Sequence, residues 1–303
     1  MKIRSLIIAS LAVFTAVSTS SAQSFFFGQS QQGRQADEKK VEFDYDIDFQ
    51  YYFDNREFKF SQDIFASSKV YNKARISPSF GIRAEQNRNI THRLMVGVDL
   101  TKNLGENPNG ESIYYEEEDA ETLRNAKHFK DIFYYYNLQA RTWGGNLDLF
   151  AGIFPRNVME GEYSRVFFSD VTKVIDPDLE GLFVKFRSPR LYAEAGSDWL
   201  GYRDFDRHER YMVFTAGSYS ILDWLSAGWA ATYIHVGDSY IFKCDAHDAI
   251  VNPYVKADFG KMTGLQELSV KAGGLVSMQI DRTLETEPYY PVAAESVITV
   301  RNW

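Results

Sequence analysis

Residues 41–51 read VEFDYDIDFQY. Every odd position (Val41, Phe43, Tyr45, Ile47, Phe49, Tyr51) is apolar or aromatic, and the even ones are Glu42, Asp44, Asp46, Asp48 and Gln50. Successive side chains leave a strand on opposite sides, so a period of two predicts a strand with one greasy face and one acidic face. A soluble sheet turns its greasy face to a core and its polar face to water. A membrane barrel turns the greasy face to lipid and the polar face inward.

The same period, punctuated by turn chemistry, runs down the rest of the chain. It predicts strands at 41–52, 75–85, 92–102, 132–143, 146–154, 180–187, 190–199, 209–219, 225–236, 249–259, 265–278 and a short last one at 296–303. In several of them the faces separate cleanly: Leu94, Val96, Val98 and Leu100 oppose Arg93, Met95, Gly97 and Asp99, and Leu147, Leu149, Ala151 and Ile153 oppose Asp148 and Gly152. The strand at 209–219 is ambiguous in phase. Long links (53–74, 103–131, 155–179) alternate with short ones such as QNRNIT, GGN and SPR. Tight turns on one rim and long loops on the other are what an up-and-down outer-membrane barrel requires.

A secreted β-sandwich also alternates. The barrel is favoured by strand lengths near the 9–11 residues of a membrane crossing, by the loop alternation and by aromatics at strand ends. These are Tyr51–Phe53, Tyr134–Tyr136, Trp143, Trp199 and Trp229 with Tyr233.

The ends and the composition agree with export. Residues 1–22 combine Lys2 and Arg4, an apolar run from Leu6 to Val17, and Ser20 and Ala22 before a cut, which is the pattern of a secretory signal peptide. Removing it takes the net charge from −8 to −10. An acidic exported chain is a poor nucleic-acid binder. Residues 23–40 read as a flexible periplasmic tail, and 41–303 as the barrel. Cys244 is the only cysteine, so no internal disulfide forms. Beyond the signal, no apolar run approaches the length of a spanning helix.

This layout resembles Gram-negative outer-membrane β-barrels of the porin-like kind, across about residues 41 to 303. The segment GIFPRNVMEGEYSRVFFSDVTKVIDPDLEGLFVKF (152–186) is similar to a motif of uncharacterised members of such families. The resemblance implies an all-β, transmembrane, up-and-down antiparallel barrel of about 12 strands in the outer membrane. It implies lipid, lipopolysaccharide and the barrel-assembly machinery as partners. The end departs from the pattern: in SVITVRNW, Thr299 and Arg301 share the phase of Trp303, whereas Ile298 and Val300 lie in the other. A barrel closing on a short twelfth strand and a chain cut from a larger barrel both accommodate this end.

On the assigned phases the pore-lining candidates are Glu42, Asp44, Asp46, Asp48, Arg83, Arg93, Asp99, Arg141, Asp148, Lys185, Glu194, Lys256 and Asp258. Opposed charges across a water-filled channel select polar solutes, and in a narrow barrel the same charges pair into a plug. In general porins the loop between the fifth and sixth strands narrows the pore. The corresponding loop here offers Arg156, Glu160, Glu162, Arg165, Asp170, Asp176 and Asp178 as constriction residues, with Tyr163, Phe167 and Phe168 as anchors to the wall.

Other chemistry is weaker. Glu116–Asp119, and Asp176 and Asp178 with Glu180, lack the spacing of a complete calcium loop. CDAHD (244–248) lies in a surface loop short of four convergent N/S ligands, so no metal and no cofactor is expected. Some outer-membrane phospholipases use a Ser/His pair on the outer wall. His235 is in the lipid-facing phase, but no spacing brings Ser164 or Ser239 to it, so no enzyme is expected. The expectation is a channel for small polar solutes or ions, ahead of a non-conducting structural or surface-interaction barrel and, third, a lipid hydrolase.

Overall fold

The computed structural model describes residues 40–56, 69–104, 129–164, 166–168, 176–283 and 287–302. The signal peptide (1–22), most of the tail (23–39), the Glu116–Asp119 cluster, Arg165, Asp170 and Trp303 lie outside them.

The chain forms twelve strands: β1 (Lys40–Arg56), β2 (Lys69–Asn87), β3 (Ile90–Asn103), β4 (Phe129–Thr142), β5 (Gly145–Pro155), β6 (Asp178–Arg187), β7 (Leu191–Gly201), β8 (Arg210–Leu222), β9 (Leu225–Val236), β10 (Ala246–Asp258), β11 (Glu267–Asp281) and β12 (Val292–Arg301). They make one sheet in chain order, β1 to β12. Where the register is defined, from β4 to β12, every neighbouring pair is antiparallel. The architecture is all-β and up-and-down, as the sequence led us to expect. The sheet is open between β12 and β1. Among the described residues no helix is long and apolar enough to cross a membrane, which has no bearing on strands.

Several boundaries move. The expected GGN turn is instead a two-residue hairpin turn at Trp143–Gly144, with φ of +50° and +70°. Two consecutive positive φ values make the primed turn whose twist matches the flanking strands. Trp143 therefore ends no strand. Strand β2 begins at Lys69 rather than at residue 75, which moves Arg75 from the strand's end to its interior.

Burial alternates with the sequence period, but inverted relative to a soluble sheet. Along β1, Val41, Phe43, Tyr45, Ile47 and Phe49 are 59–71% exposed. The intervening acids are the more covered side. Elsewhere Leu94, Ile132, Tyr134, Leu182, Val251 and Val255 are exposed, while Arg75, Asp99, Asn137, Glu194, Asp198 and Asn252 are buried.

Contacts divide the chain into two compact units. The first comprises the described residues of 45–79 and 98–131, and the second those of 35–44, 80–97 and 132–303. The second holds an aromatic cluster on the charged face: Met95, Phe133, Tyr135, Phe150, Phe154, Phe183, Met212 and Phe214, joined by Phe168 from the loop. Strand β8 explains its ambiguous phase here. Met212, Phe214 and Ala216 face this cluster, and Val213 lies exposed on the other side. Both faces of β8 are apolar, so periodicity cannot orient it.

Candidate functional site

In the first unit, the charged face is satisfied by the strands themselves. The Arg75 guanidinium lies 3.3 Å from the Asp48 carboxylate and 3.6 Å from that of Asp99. Ser77 donates to Asp99, a carboxylate that is 1% exposed. Both carboxylates share this one buried guanidinium, which keeps its charge in any environment. Asp46 accepts from the Ile47 N–H at 2.9 Å.

In the second unit, Asp44 receives Arg93 Nε at 2.6 Å, Glu42 pairs with Lys40, and Arg83 lies 3.1 Å from Glu85. Arg83, Arg88, Arg141, Asn146 and Asp148 line a cavity of about 410 Å³ beside the β2–β3 and β4–β5 turns. Asp258 accepts from the Gly260 N–H at 2.8 Å, so its carboxylate serves the turn after β10.

The densest construction is the segment after β5. Its root is Arg156, 4% exposed, whose guanidinium donates to Asp176 Oδ2, Asp198 Oδ2 and the Asp178 carbonyl, each at 2.8 Å, and to the Asp176 carbonyl at 2.9 Å. One planar fork thus ties both ends of the loop to β7. Asp198 also accepts the Glu180 N–H at 3.0 Å.

Beyond the root the chain lies along the charged face. The Lys185 ammonium donates to the Val158 carbonyl at 3.1 Å and to Glu160 at 2.6 Å, and Arg187 also pairs with Glu160. The Glu160 N–H donates to Glu194 at 2.9 Å. Gly161 lies so close to β8 that a Cβ there would stand 2.5 Å from the Ala216 Cβ and 2.6 Å from Glu194 Oε1. No side chain fits at that approach. Glu162 then reaches Lys256 on β10 at 2.6 Å, and Lys256 continues to Glu267 at 3.1 Å.

Aromatic rings seat the rest of the segment. Tyr163 stacks edge-on to Phe168, with centroids 4.9 Å apart, and both meet Phe214, at 6.2 and 5.9 Å. Edge-to-face pairs contribute about 0.5–1.5 kcal/mol each beyond buried area. Burial first, then the Glu194 carboxylate, push the Tyr163 phenol far above its ordinary value, so it stays neutral. Burial alone would raise Glu160, but the hydrogen bond and charge of Lys185, with Arg187, outweigh it and hold Glu160 below the usual carboxylate range.

The sequence-chosen residues therefore fall into groups. Arg156, Glu160, Glu162, Asp176 and Asp178 converge with Lys185, Glu194 and Lys256 around one loop. Glu42, Asp44, Asp46, Asp48, Arg83, Arg93 and Asp99 pair instead with residues of β1, β2 and β3. Arg141 and Asp148 line the rim cavity. Three residues central to the arrangement were missed: Arg75, the first residue of the expected strand and in phase with Arg83; Asp198; and Gly161, whose position between two glutamates was the available signal.

The cation candidates of the sequence do not assemble as drawn. The Asp176 carboxylate is taken by Arg156. Ser239 Oγ closes its own loop with Phe242, and Ser164 Oγ accepts from the Val166 N–H, so neither serves His235. His235 instead meets His247, with Asp245 beside them.

Comparison of the chain with family models, with curated proteins and with solved structures finds no match.

Proposed function

We propose that the protein is a porin-like outer-membrane β-barrel through which small polar solutes or ions pass beside an inward-folded loop between β5 and β6. The observation that carries this reading is the inverted polarity: an exposed apolar face, and a charged face overlaid by Arg156–Phe168. At 58–71% exposure, the apolar residues of β1 before Tyr51, together with Phe53, present roughly 600 Å² if each ring or branched chain offers on the order of 100 Å². Soluble monomers rarely leave more than a few hundred Å² in one patch. Lipid contact removes that penalty, at about 1.5–3 kcal/mol per large side chain. Closure of the up-and-down sheet would place the charges around a lumen.

The refolded protein in planar bilayers is expected to give discrete conductance steps. Folded protein that inserts yet gives no step at any voltage removes the channel reading. It would leave the non-conducting barrel, which the density of ion pairs between loop and wall favours: Glu160 with Lys185 and Arg187, and Glu162 with Lys256. Arg156→Ala decides between a fixed constriction and a plug. A larger step in the variant supports the constriction, and steps appearing only in the variant support the plug.

A further inference from the structure

The long-loop ends of β9 and β10 carry a second polar cluster, on the opposite side of the sheet from the constriction loop. His235 and His247 are cross-strand partners in the antiparallel register. Side chains directly opposite one another on one face stand close enough to act together. Their rings lie with centroids 4.9 Å apart. Asp245 precedes β10 and is anchored twice: its N–H donates to Thr283 Oγ1 at 2.7 Å and its carbonyl accepts the Arg282 N–H at 2.9 Å. One ligand atom from each of His235, Asp245 and His247 lies within 4.8 Å of the other two.

The two nitrogens of His247 are used differently. Nδ1 is paired with the Tyr233 hydroxyl at 2.6 Å and lies 3.3 Å from His235 Nδ1. Nε2 is buried and faces Asp245 Oδ1 at 2.8 Å. When the imidazole is neutral with Nε2 unprotonated, this nitrogen and the carboxylate oxygen are two lone-pair donors held side by side, an arrangement that one cation shares. The Tyr233 contact on the other nitrogen is the outer partner that metal-bound imidazoles commonly have. Tyr211 packs on His235, with centroids 5.1 Å apart, and fixes the second ring.

We propose that His235, Asp245 and His247 form a binding site for a divalent transition-metal ion, with Tyr233 orienting His247. Two imidazoles and one carboxylate suit zinc, nickel or cobalt, whereas calcium and magnesium take oxygen sets. Three protein ligands leave a coordination position open to water. Metal bonds of about 2.1 Å hold donors no more than about 4.2 Å apart, so binding draws the three donors together by a few tenths of an ångström. Arg282 Nη1, 3.6 Å from Asp245 Oδ2, competes for the carboxylate and weakens the site. The site is independent of whether the protein conducts.

The test is calorimetric titration of the full chain, refolded in detergent and free of any polyhistidine tag, with zinc chloride, alongside cobalt(II) absorption spectra. One ion per chain is expected, with visible cobalt bands and no response to calcium. His247→Ala and Asp245→Asn should weaken zinc at least about tenfold, given that even outer-shell changes cost about 10–100-fold. Tyr233→Phe, which keeps the packing, should weaken it about tenfold. Arg282→Gln should tighten binding, and Cys244→Ser should leave it unchanged. No saturable zinc binding by the wild type, or Tyr233→Phe and Asp245→Asn both binding as the wild type does, overturns the proposal. Loss of binding on Cys244→Ser overturns it as well, by moving the site elsewhere.

Discussion

Two buried arginines do the same electrostatic work in different settings. Arg75 serves Asp48 and Asp99, both on strands, so its network belongs to the wall. Arg156 serves Asp176 at the far end of a loop and Asp198 on β7, so its network joins a loop to a wall. Removing the first damages the sheet, and removing the second frees a segment. Buried charge is therefore of two kinds, one that belongs to the strands and one that holds a loop.

The sharpest break of this comparison is the pair of substitutions Arg75→Leu and Arg156→Leu. Each strands a carboxylate that is 1–2% exposed, so each should cost about 3–5 kcal/mol. Denaturant unfolding in detergent is expected to show similar losses. Limited proteolysis should separate them, with cleavage between residues 156 and 168 appearing only in Arg156→Leu. Equal cleavage in both would erase the distinction.

Gly161→Val is the next largest. Its branched side chain meets Ala216 and Glu194 at distances no neighbour accommodates, so the loop must leave β8. Overpacking of this kind costs about 1–3 kcal/mol. The expected readout is a cleavable loop on a sheet whose unfolding midpoint barely moves. An uncleaved loop with a lowered midpoint would place Gly161 with Arg75 instead.

Glu160 gives a pH test. Its folded value is depressed below the ordinary 4.5, so its contribution is fully present above that value and is lost as pH falls through the folded one. Loop cleavage by an acid-stable protease should rise below about pH 4.5 in the wild type, and in Glu160→Gln it should be high and flat. A pH-independent wild type would remove Glu160 from the clamp. Smallest of all, Glu162→Gln removes a half-exposed contact to Lys256, worth about 0.2–1 kcal/mol, and a double-mutant cycle with Lys256→Met should recover a coupling in that range.

All twelve strands were legible in the sequence because alternation is local. VEFDYDIDFQY shows its faces without any knowledge of its neighbours. What escaped depends on partners. Tyr135 sits in a run of three tyrosines that reads as an interfacial girdle, yet it is buried against Phe150 and Phe154. Phe150 and Phe183 share the phase of Asp148 and Lys185, and their burial among charges makes sense only once they cluster with Phe154, Phe168 and Phe214. The convergence of His235 on Asp245 and His247 follows from the β9–β10 register, which no single segment encodes. CDAHD showed two of the three donors, and the third lay one strand back.

The hydrogen bond from Lys256 to Glu162 joins residues 94 apart in the chain. Lys256 takes its place only when β10 has paired with β9, whereas Arg156 and Glu160 find their partners on β6 and β7. Contacts of such long separation form late because the intervening chain must be ordered first. The loop is consequently pinned at its root early and at its tip last. Its final lysine contact acts as a signal that five further strands have been laid down.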